Sequence, residues 1–162
     1  MTENPMDDIS FIPVWQSASA AVERDVMALW TALGVLPPGV KAEERIKELV
    51  AVAYAGDSIV GVLTAQFLMH PPLRQRFAFL RSLTHPDYGG RDVSRRLIVC
   101  ADEALSKWAI AHPGEKLAGL AAIYENPLPQ SKPIERVGLI LVGYTPDGQQ
   151  VRVKWFEHFR LH

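Results

Sequence analysis

The segment HPDYGGRDVSRRLI, residues 85–98, places glycines and arginines ahead of an apolar pattern with helical spacing. The first amides of a helix have no intrahelical partner and carry partial positive charge, so such a turn can bind an anion. The glycine pair 89–90 would let the backbone approach a ligand closely. Arg91, Arg95 and Arg96 could place guanidinium groups beside a diphosphate. The segment therefore predicts a diphosphate site at the start of a helix.

Two side chains within this segment offer a different interpretation. Asp92 or Ser94 could cap the helix by accepting hydrogen bonds from the amides that a phosphate would use. A carboxylate within ~5 Å of a diphosphate would also repel it by about 1 kcal/mol or more. The segment is also explained as a plain turn whose arginines lie on a solvated helix face.

Composition excludes several classes of protein. Hydrophobic residues make up 48% of the 162 residues and charged residues 22%, which is typical of a globular protein. The net charge of -1 gives no general attraction to nucleic acid, and no run reaches the ~18 apolar residues that span a membrane. The amino terminus lacks the pattern of a secretory signal. We therefore expect a cytoplasmic protein with one domain over 1–162, of which 1–8 form a flexible tail.

Metal and cysteine chemistry find little support. Apart from Glu157 and His158 near the carboxyl terminus, no histidine forms a close pair with a cysteine or carboxylate at ligand spacing, so no metal is expected. The single cysteine, Cys100, cannot form an internal disulfide and falls in a helical apolar pattern. This pattern predicts a small core residue rather than a nucleophile.

Apolar periodicity and turn residues predict a series of elements in the order β α α β β β α β α β β. The first half comprises a strand over 9–15, a helix from Val22 to Leu33 between a Ser19 cap and Gly34, a short helix over 41–49, strands flanking Gly56–Asp57, and a strand over 77–84. The second half comprises a long helix from Val93, a buried strand over 117–124, a short helix around 130–137, and two strands flanking a Pro146–Gly148 turn.

The carboxyl-terminal segment is rich in aromatic residues. As a last strand it predicts burial of Trp155 and Phe159, and an aromatic contact in a homodimer is the open alternative.

The order of elements, with the loop around 85–92 between the fourth strand and the long helix, resembles the GNAT acyltransferase superfamily. In that family the fourth strand ends in a Val-x-Pro-like segment, followed by a stretch such as Tyr-Arg-Gly-Arg-Gly-Ile-Gly; here THPDYGGRDVS, 84–94, stands in that place. A second match is Asn126 after the fifth strand, followed by IERVGL at 134–139. The resemblance covers roughly residues 9–156. It implies a mixed α/β (α+β) fold whose sheet of about seven strands is mostly antiparallel, with helices on both faces.

The resemblance also implies a donor and its binding residues. In GNAT proteins the strand-to-helix turn holds the pyrophosphate of acetyl-CoA, and amides of the fourth strand hydrogen-bond the thioester carbonyl. Acetyl-CoA or CoA would then bind in the cleft between the fourth and fifth strands. The residues implied in binding are Leu83, Thr84, Gly89, Gly90, Arg91, Asp92, Val93, Ser94, Arg95 and Asn126.

Two departures from the family pattern bear on catalysis. Asp92 replaces a glycine, and Ile134 replaces the tyrosine that many members use as general acid. A hydrocarbon cannot donate a proton, so other groups would have to act. The candidates are Glu125 or His85 as general base and Ser131, Tyr144 or Tyr124 as proton donor, each of which is also explained as a surface or core-edge residue.

These observations predict an acetyl-CoA-dependent N-acetyltransferase that moves an acetyl group to an amine of a small molecule or peptide. The alternative, which Asp92, Ser94 and Ile134 favour, is a GNAT-like fold without catalysis that serves as a ligand sensor or protein-interaction module. A different strand-helix enzyme with a similar phosphate loop is a third interpretation.

Overall fold

A computed structural model describes residues 8–89, 92–124 and 138–159 of the chain. The strands are β1 (Ile9–Pro13), β2 (Leu49–Ala55), β3 (Ser58–His70), β4 (Gln75–Thr84), β5 (Leu117–Tyr124), β6 (Ile140–Tyr144) and β7 (Gln150–Trp155). The α-helices are α1 (Ala20–Leu33), α2 (Ala42–Arg45) and α3 (Val93–Ala111), and short 3₁₀ turns lie at Ile46–Glu48, Pro86–Tyr88 and Pro113–Glu115. The helix expected around 130–137 lies outside the described residues. No helix in the described part of the chain is long and apolar enough to cross a membrane.

The described strands form one mixed sheet in the order β1-β2-β3-β4-β5-β7-β6. Strand β4 pairs with β5 in parallel, as expected for strands joined by a helical crossover. The pairs β1–β2, β2–β3, β5–β7 and β6–β7 are antiparallel. The structure thus confirms the expected mixed, mostly antiparallel sheet, and residues 117–122 of β5 are all buried, as its continuous apolar run predicts.

The chain divides into two compact units, one of Met1–Thr64 with Ser82–Ala104 and the other of Ala65–Arg81 with Leu105–His162. In the first unit, helix α1 packs through its apolar stripe. The Ser19 hydroxyl accepts from the Val22 amide at 3.2 Å, and Gly34 ends the helix with a left-handed φ of 59°, so both predicted caps are confirmed. The buried residues around α1, which we call the α1-face cluster, are Val14, Val26, Leu29, Trp30, Leu49, Val52 and Val62.

Helix α3 lies on the opposite face of the strands in this first unit. Side chains alternate between the faces of a strand, so Val62 belongs to the α1-face cluster whereas Gly61 faces α3. A Cβ on Gly61 would lie 2.9 Å from Val93 Cγ1 and 3.0 Å from Leu97 Cδ1. The first turns of α3 therefore approach the sheet closely because residue 61 has no side chain. Helices on both faces of the sheet, as expected, are confirmed.

The second unit is built around β5 and β7. Its buried cluster consists of Phe77, Ala118, Ala121 and Val153. Trp155 and Phe159 stack with ring centroids 5.7 Å apart and pack against this cluster, but both are only partly buried. The buried aromatic residue at this end of the chain is Phe156, at 3% exposure. The expectation that Trp155 and Phe159 are the buried pair is therefore only partly right.

Two sequence-based expectations in the first unit are corrected by the structure. The short helix expected over 41–49 ends as an α-helix at Arg45, and Leu49 begins β2, where it is 2% exposed and pairs with Thr64. Burial in the α1-face cluster outweighs the local helical pattern at this position. Cys100 is only partly buried, because the buried stripe of α3 recurs every fourth residue and passes beside it. The stripe comprises Val93, Leu97, Ala101, Leu105 and Ala109.

Cys100 also lacks the setting of a reactive thiol. Burial raises the pKa of the Cys100 thiol, and the Glu103 carboxylate raises it further. A raised pKa keeps the side chain as a thiol near neutral pH, so nucleophilic chemistry is not expected.

The β3–β4 hairpin contains a titratable group that predicts a pH-dependent stability. His70 Nδ1 accepts a hydrogen bond from the Leu73 amide at 3.3 Å, and burial lowers the His70 pKa below its ordinary value of 6.5. The folded state thus favours the neutral ring. Its contribution to the free energy of unfolding is complete above about pH 6.5 and is lost as the pH falls through the lowered folded pKa.

We expect His70→Asn, whose amide oxygen can still accept from Leu73 without titrating, to remove this part of the pH dependence. Chemical denaturation of the native protein and of His70→Asn at pH 7.5 and pH 5 measures how the free energy of unfolding depends on pH. The native protein should lose more stability between the two conditions, and equal losses would contradict the assignment.

Candidate functional site

The turn between β4 and α3 is anchored at its start. The His85 amide donates to the Val60 carbonyl of β3 at 2.8 Å, and a 3₁₀ turn over Pro86–Tyr88 follows. Gly89 closes that turn by donating to the Pro86 carbonyl at 3.2 Å. Gly90 and Arg91, both predicted to bind the donor, lie outside the described residues.

Asp92 sets the beginning of α3. Its carbonyl accepts the first intrahelical bond, from the Arg96 amide at 3.2 Å. The amides of Val93, Ser94 and Arg95 precede that bond and have no acceptor within the helix. Amides at the start of a helix can donate to an anion, as the predicted site requires.

The backbone of Asp92 has a positive φ of 62°. Glycine adopts this left-handed conformation without strain, whereas most other residues pay about 1 kcal/mol, with aspartate and asparagine among the more tolerant. The position at which the resemblance places a glycine therefore keeps a conformation that suits glycine.

The side chains of Asp92 and Ser94 do not act as the predicted caps in the described structure. The Asp92 carboxylate accepts from Arg95 Nε at 2.5 Å, and the Ser94 hydroxyl donates to the Ser82 hydroxyl at 3.0 Å. The capping expectation is thus wrong, because one side chain turns along the helix to a guanidinium and the other turns to β4. Among the described residues, neither side chain accepts from the first amides of α3, and Arg95 is paired with a carboxylate.

Arg96 is directed toward a different neighbour. Its guanidinium carbon lies 4.2 Å from the centroid of the Phe11 ring on β1, which is a cation-π contact. Of the three arginines that the segment offers for a diphosphate, Arg91 lies outside the described residues and Arg96 contacts Phe11. Arg95 is the remaining candidate, and it pairs with Asp92 at the start of α3.

The last residues of β4 face opposite sides of the sheet. Leu83 packs against the α1-face cluster, whereas the Ser82 hydroxyl meets Ser94 of α3. By strand alternation Thr84 shares the α3 side with Ser82. The end of β4, whose Leu83 and Thr84 amides are predicted to hold the thioester carbonyl, therefore has α1 on one face of the sheet and α3 on the other.

His85 has a hydrogen bond that sets its neutral tautomer. Its Nδ1 accepts from the Asp87 amide at 3.1 Å, so the neutral ring carries its proton on Nε2. The role of His85 as a general base stays a prediction.

Only some of the catalytic candidates lie within the described residues. Glu125, Ser131 and Asn126, together with Ile134, lie outside the described residues. Tyr144 ends β6 with 63% of its surface exposed and pairs with Gln150 of β7. Tyr124 ends β5, where the guanidinium carbon of the fully buried Arg152 lies 5.7 Å from its ring centroid.

One pair of polar residues in the first unit was missed at the sequence level. The Tyr54 hydroxyl of β2 donates to Asp25 Oδ2 of α1 at 2.7 Å. The sequence contains a signal for Asp25, because this charged residue lies on the apolar stripe of α1, three residues after Val22 and four before Leu29. Nothing in the sequence points from Asp25 to Tyr54. The Ser82–Ser94 contact was likewise not predicted.

The described residues offer no metal centre. Among residues 8–89, 92–124 and 138–159, no group of three histidine, cysteine, aspartate or glutamate side chains is placed to hold an ion.

Comparison with known proteins relates this geometry to a fold. No protein-family model matches the sequence, and a comparison with curated proteins finds no match. Among solved structures, yncA of Salmonella typhimurium with its cofactor acetyl-CoA has a TM-score of 0.63 and 10% identity, over 95% of this chain and 97% of that one. Naa50 of Arabidopsis thaliana in complex with the bisubstrate analogue CoA-Ac-MVNAL has a TM-score of 0.59 and 14% identity, over 92% and 99%.

A GNAT-family acetyltransferase from Streptococcus pneumoniae has a TM-score of 0.58 and 12% identity, over 91% of this chain and 99% of that one. These similarities extend over nearly the full length of each chain, and they agree with the strand order and with the position of α3 after β4. The protein has the fold of the GNAT acetyltransferases.

Proposed function

We propose that this protein is an acyltransferase of the GNAT superfamily that transfers an acetyl group from acetyl-CoA to an amine. The observation that carries the proposal is the start of α3, in the turn that follows β4, where the left-handed Asp92 precedes amides that have no acceptor within the helix. Structures with the same fold contain acetyl-CoA or a CoA conjugate, which supports this choice of donor.

The residues at the start of α3, apart from Asp92, are suited to bind a diphosphate. The amides of residues 93–95 would donate to its oxygens, and the Arg95 guanidinium would add a charge-assisted bond. The Asp92 carboxylate competes for Arg95 and adds repulsion. We therefore propose a donor site that functions with an affinity reduced by Asp92.

The reaction that we propose joins an amine nitrogen to a thioester carbonyl carbon. The donor supplies an activated acyl group; the C–N bond forms, the C–S bond breaks, and the sulfur leaves as a thiolate. The amides of Leu83 and Thr84 would donate to the carbonyl oxygen as negative charge develops on it. Glu125 would take the amine proton, and Ser131 or Tyr144 would return one to the thiolate. Positioning of the two reactants would supply much of the acceleration.

Thermal unfolding in the presence of acetyl-CoA tests the donor half of the proposal. A ligand at about 100 times its Kd stabilises the folded state by roughly 2.7 kcal/mol, which for a protein of this size raises Tm by about 5–10 °C. We expect such a rise, and no rise at millimolar acetyl-CoA would overturn the proposal. Release of free thiol with a panel of amines then tests catalysis. A rise in Tm without turnover of any amine would support a ligand sensor instead.

A further inference from the structure

The Asp25–Tyr54 pair joins α1 to β2 in an apolar setting. Both side chains are partly buried, and the Tyr54 hydroxyl donates to Asp25 Oδ2 at 2.7 Å. The pKa of Tyr54 is raised to about 12, first by burial and then by the Asp25 hydrogen bond and charge. Tyr54 therefore remains a phenol at every physiological pH and holds the carboxylate in one orientation.

The Asp25 carboxylate can accept further hydrogen bonds. In the described part of the chain, Tyr54 is the hydrogen-bonding partner of its side chain, through Oδ2, and no ion pair joins it to a cation. A partly buried carboxylate without a counter-ion is costly, and a single phenol does not neutralise its charge. Oδ1 can accept from a donor that this part of the chain does not supply.

The pair lies on the side of the sheet toward which Leu83 points. Tyr54 and Leu83 both pack against the α1-face cluster, whereas the start of α3 lies on the opposite side with Ser82. A thioester held at the Leu83 and Thr84 amides, with its diphosphate on the α3 side, leaves the α1 side for the group that attacks it. Asp25 is then the fixed negative charge on the side of the acceptor.

We propose that Asp25 binds an ammonium group of the acceptor and that Tyr54 is the positioning residue that orients it; the inference rests on the proposed acetyl transfer. The amine that attacks must be neutral, whereas an amine held by a carboxylate stays protonated. Asp25 therefore binds an ammonium other than the reacting amine. The acceptor class is a compound with at least two amines, such as a diamine or polyamine.

Acetyl transfer to 1,4-diaminobutane and to butylamine tests the inference, because the two differ in one amine. We expect the native protein to prefer the diamine in kcat/KM by roughly tenfold or more, which is the usual value of one charged hydrogen bond. Asp25→Asn, which still accepts from Tyr54, should raise the diamine KM by that factor with kcat nearly unchanged. Tyr54→Phe should raise it by a smaller factor, and the butylamine KM should not change in either variant.

Glu23→Gln is the matched control, since it removes a neighbouring α1 carboxylate of equal charge that lies in the first helical turn. An unchanged diamine KM in Asp25→Asn, or an equal rise for butylamine, would overturn the inference while leaving acetyl transfer intact. Calorimetric titration of the native protein and Asp25→Asn with 1,4-diaminobutane decides the matter without turnover. Equal binding by the two proteins would overturn the inference, whereas failure of the proposed function would appear as absence of acetyl-CoA binding.

Discussion

Replacing Gly119 by alanine is expected to cause a large loss of stability. A Cβ at this position on β5 would overlap the Lys154 carbonyl oxygen of β7 and lie 2.9 Å from the Lys154 carbonyl carbon and the Trp155 Cα. These are backbone atoms of a paired strand, so no side-chain rotation relieves the overlap. We expect a loss of about 3 kcal/mol, at the upper end of overpacking effects, and a fall in Tm of roughly 6–12 °C.

Gly143→Ala is the matched control for this prediction. Gly143 lies on β6, and a Cβ there would meet no atom within 4 Å. Its effect should stay within about 0.5 kcal/mol. Urea denaturation of the two variants and the native protein measures the difference. Similar stabilities for Gly119→Ala and Gly143→Ala would show that β5 and β7 do not approach as described.

Replacing Asp92 by glycine is expected to strengthen the binding of CoA. The change removes a negative charge from the start of α3, releases Arg95 from its 2.5 Å contact, and suits the φ of 62°. Removing about 1 kcal/mol or more of repulsion corresponds to a gain of roughly fivefold to tenfold in affinity, larger at low salt. Relief of the left-handed backbone should add up to about 1 kcal/mol of stability.

Asp92→Asn separates the two effects, because asparagine tolerates a positive φ and carries no charge. Calorimetric titration with CoA should give a similar gain in affinity for both variants, whereas urea denaturation should give the larger gain in stability for glycine. Unchanged affinity in both variants would contradict the role assigned to the carboxylate. Arg95→Gln should weaken binding, as the loss of a charge-assisted bond requires.

The location of the candidate site could be predicted from the sequence, but its side-chain contacts could not. The start of α3 follows from the apolar residues that recur from Val93, and the Gly34 and Gly56 turns follow from residue types that favour a positive φ. The pairing of Asp92 with Arg95 depends on the backbone conformation at residue 92. A helix pattern does not encode that conformation, so the sequence allowed a capping role for either Asp92 or Ser94. The roles of Glu125, Asn126 and Ser131 stay predictions.

The sequence by itself determined the helices α1 and α3, most strand positions and the place of the turn where we propose an anion site, because each depends on neighbours within about one helical turn or one strand period. The tertiary structure decided which strand pairs with which, including the place of β7 between β5 and β6. It also decided the contacts of Asp25 with Tyr54, 29 residues away, and of Ser82 with Ser94. Such contacts arise when separate elements pack on one sheet face, so local periodicity carries no information about them.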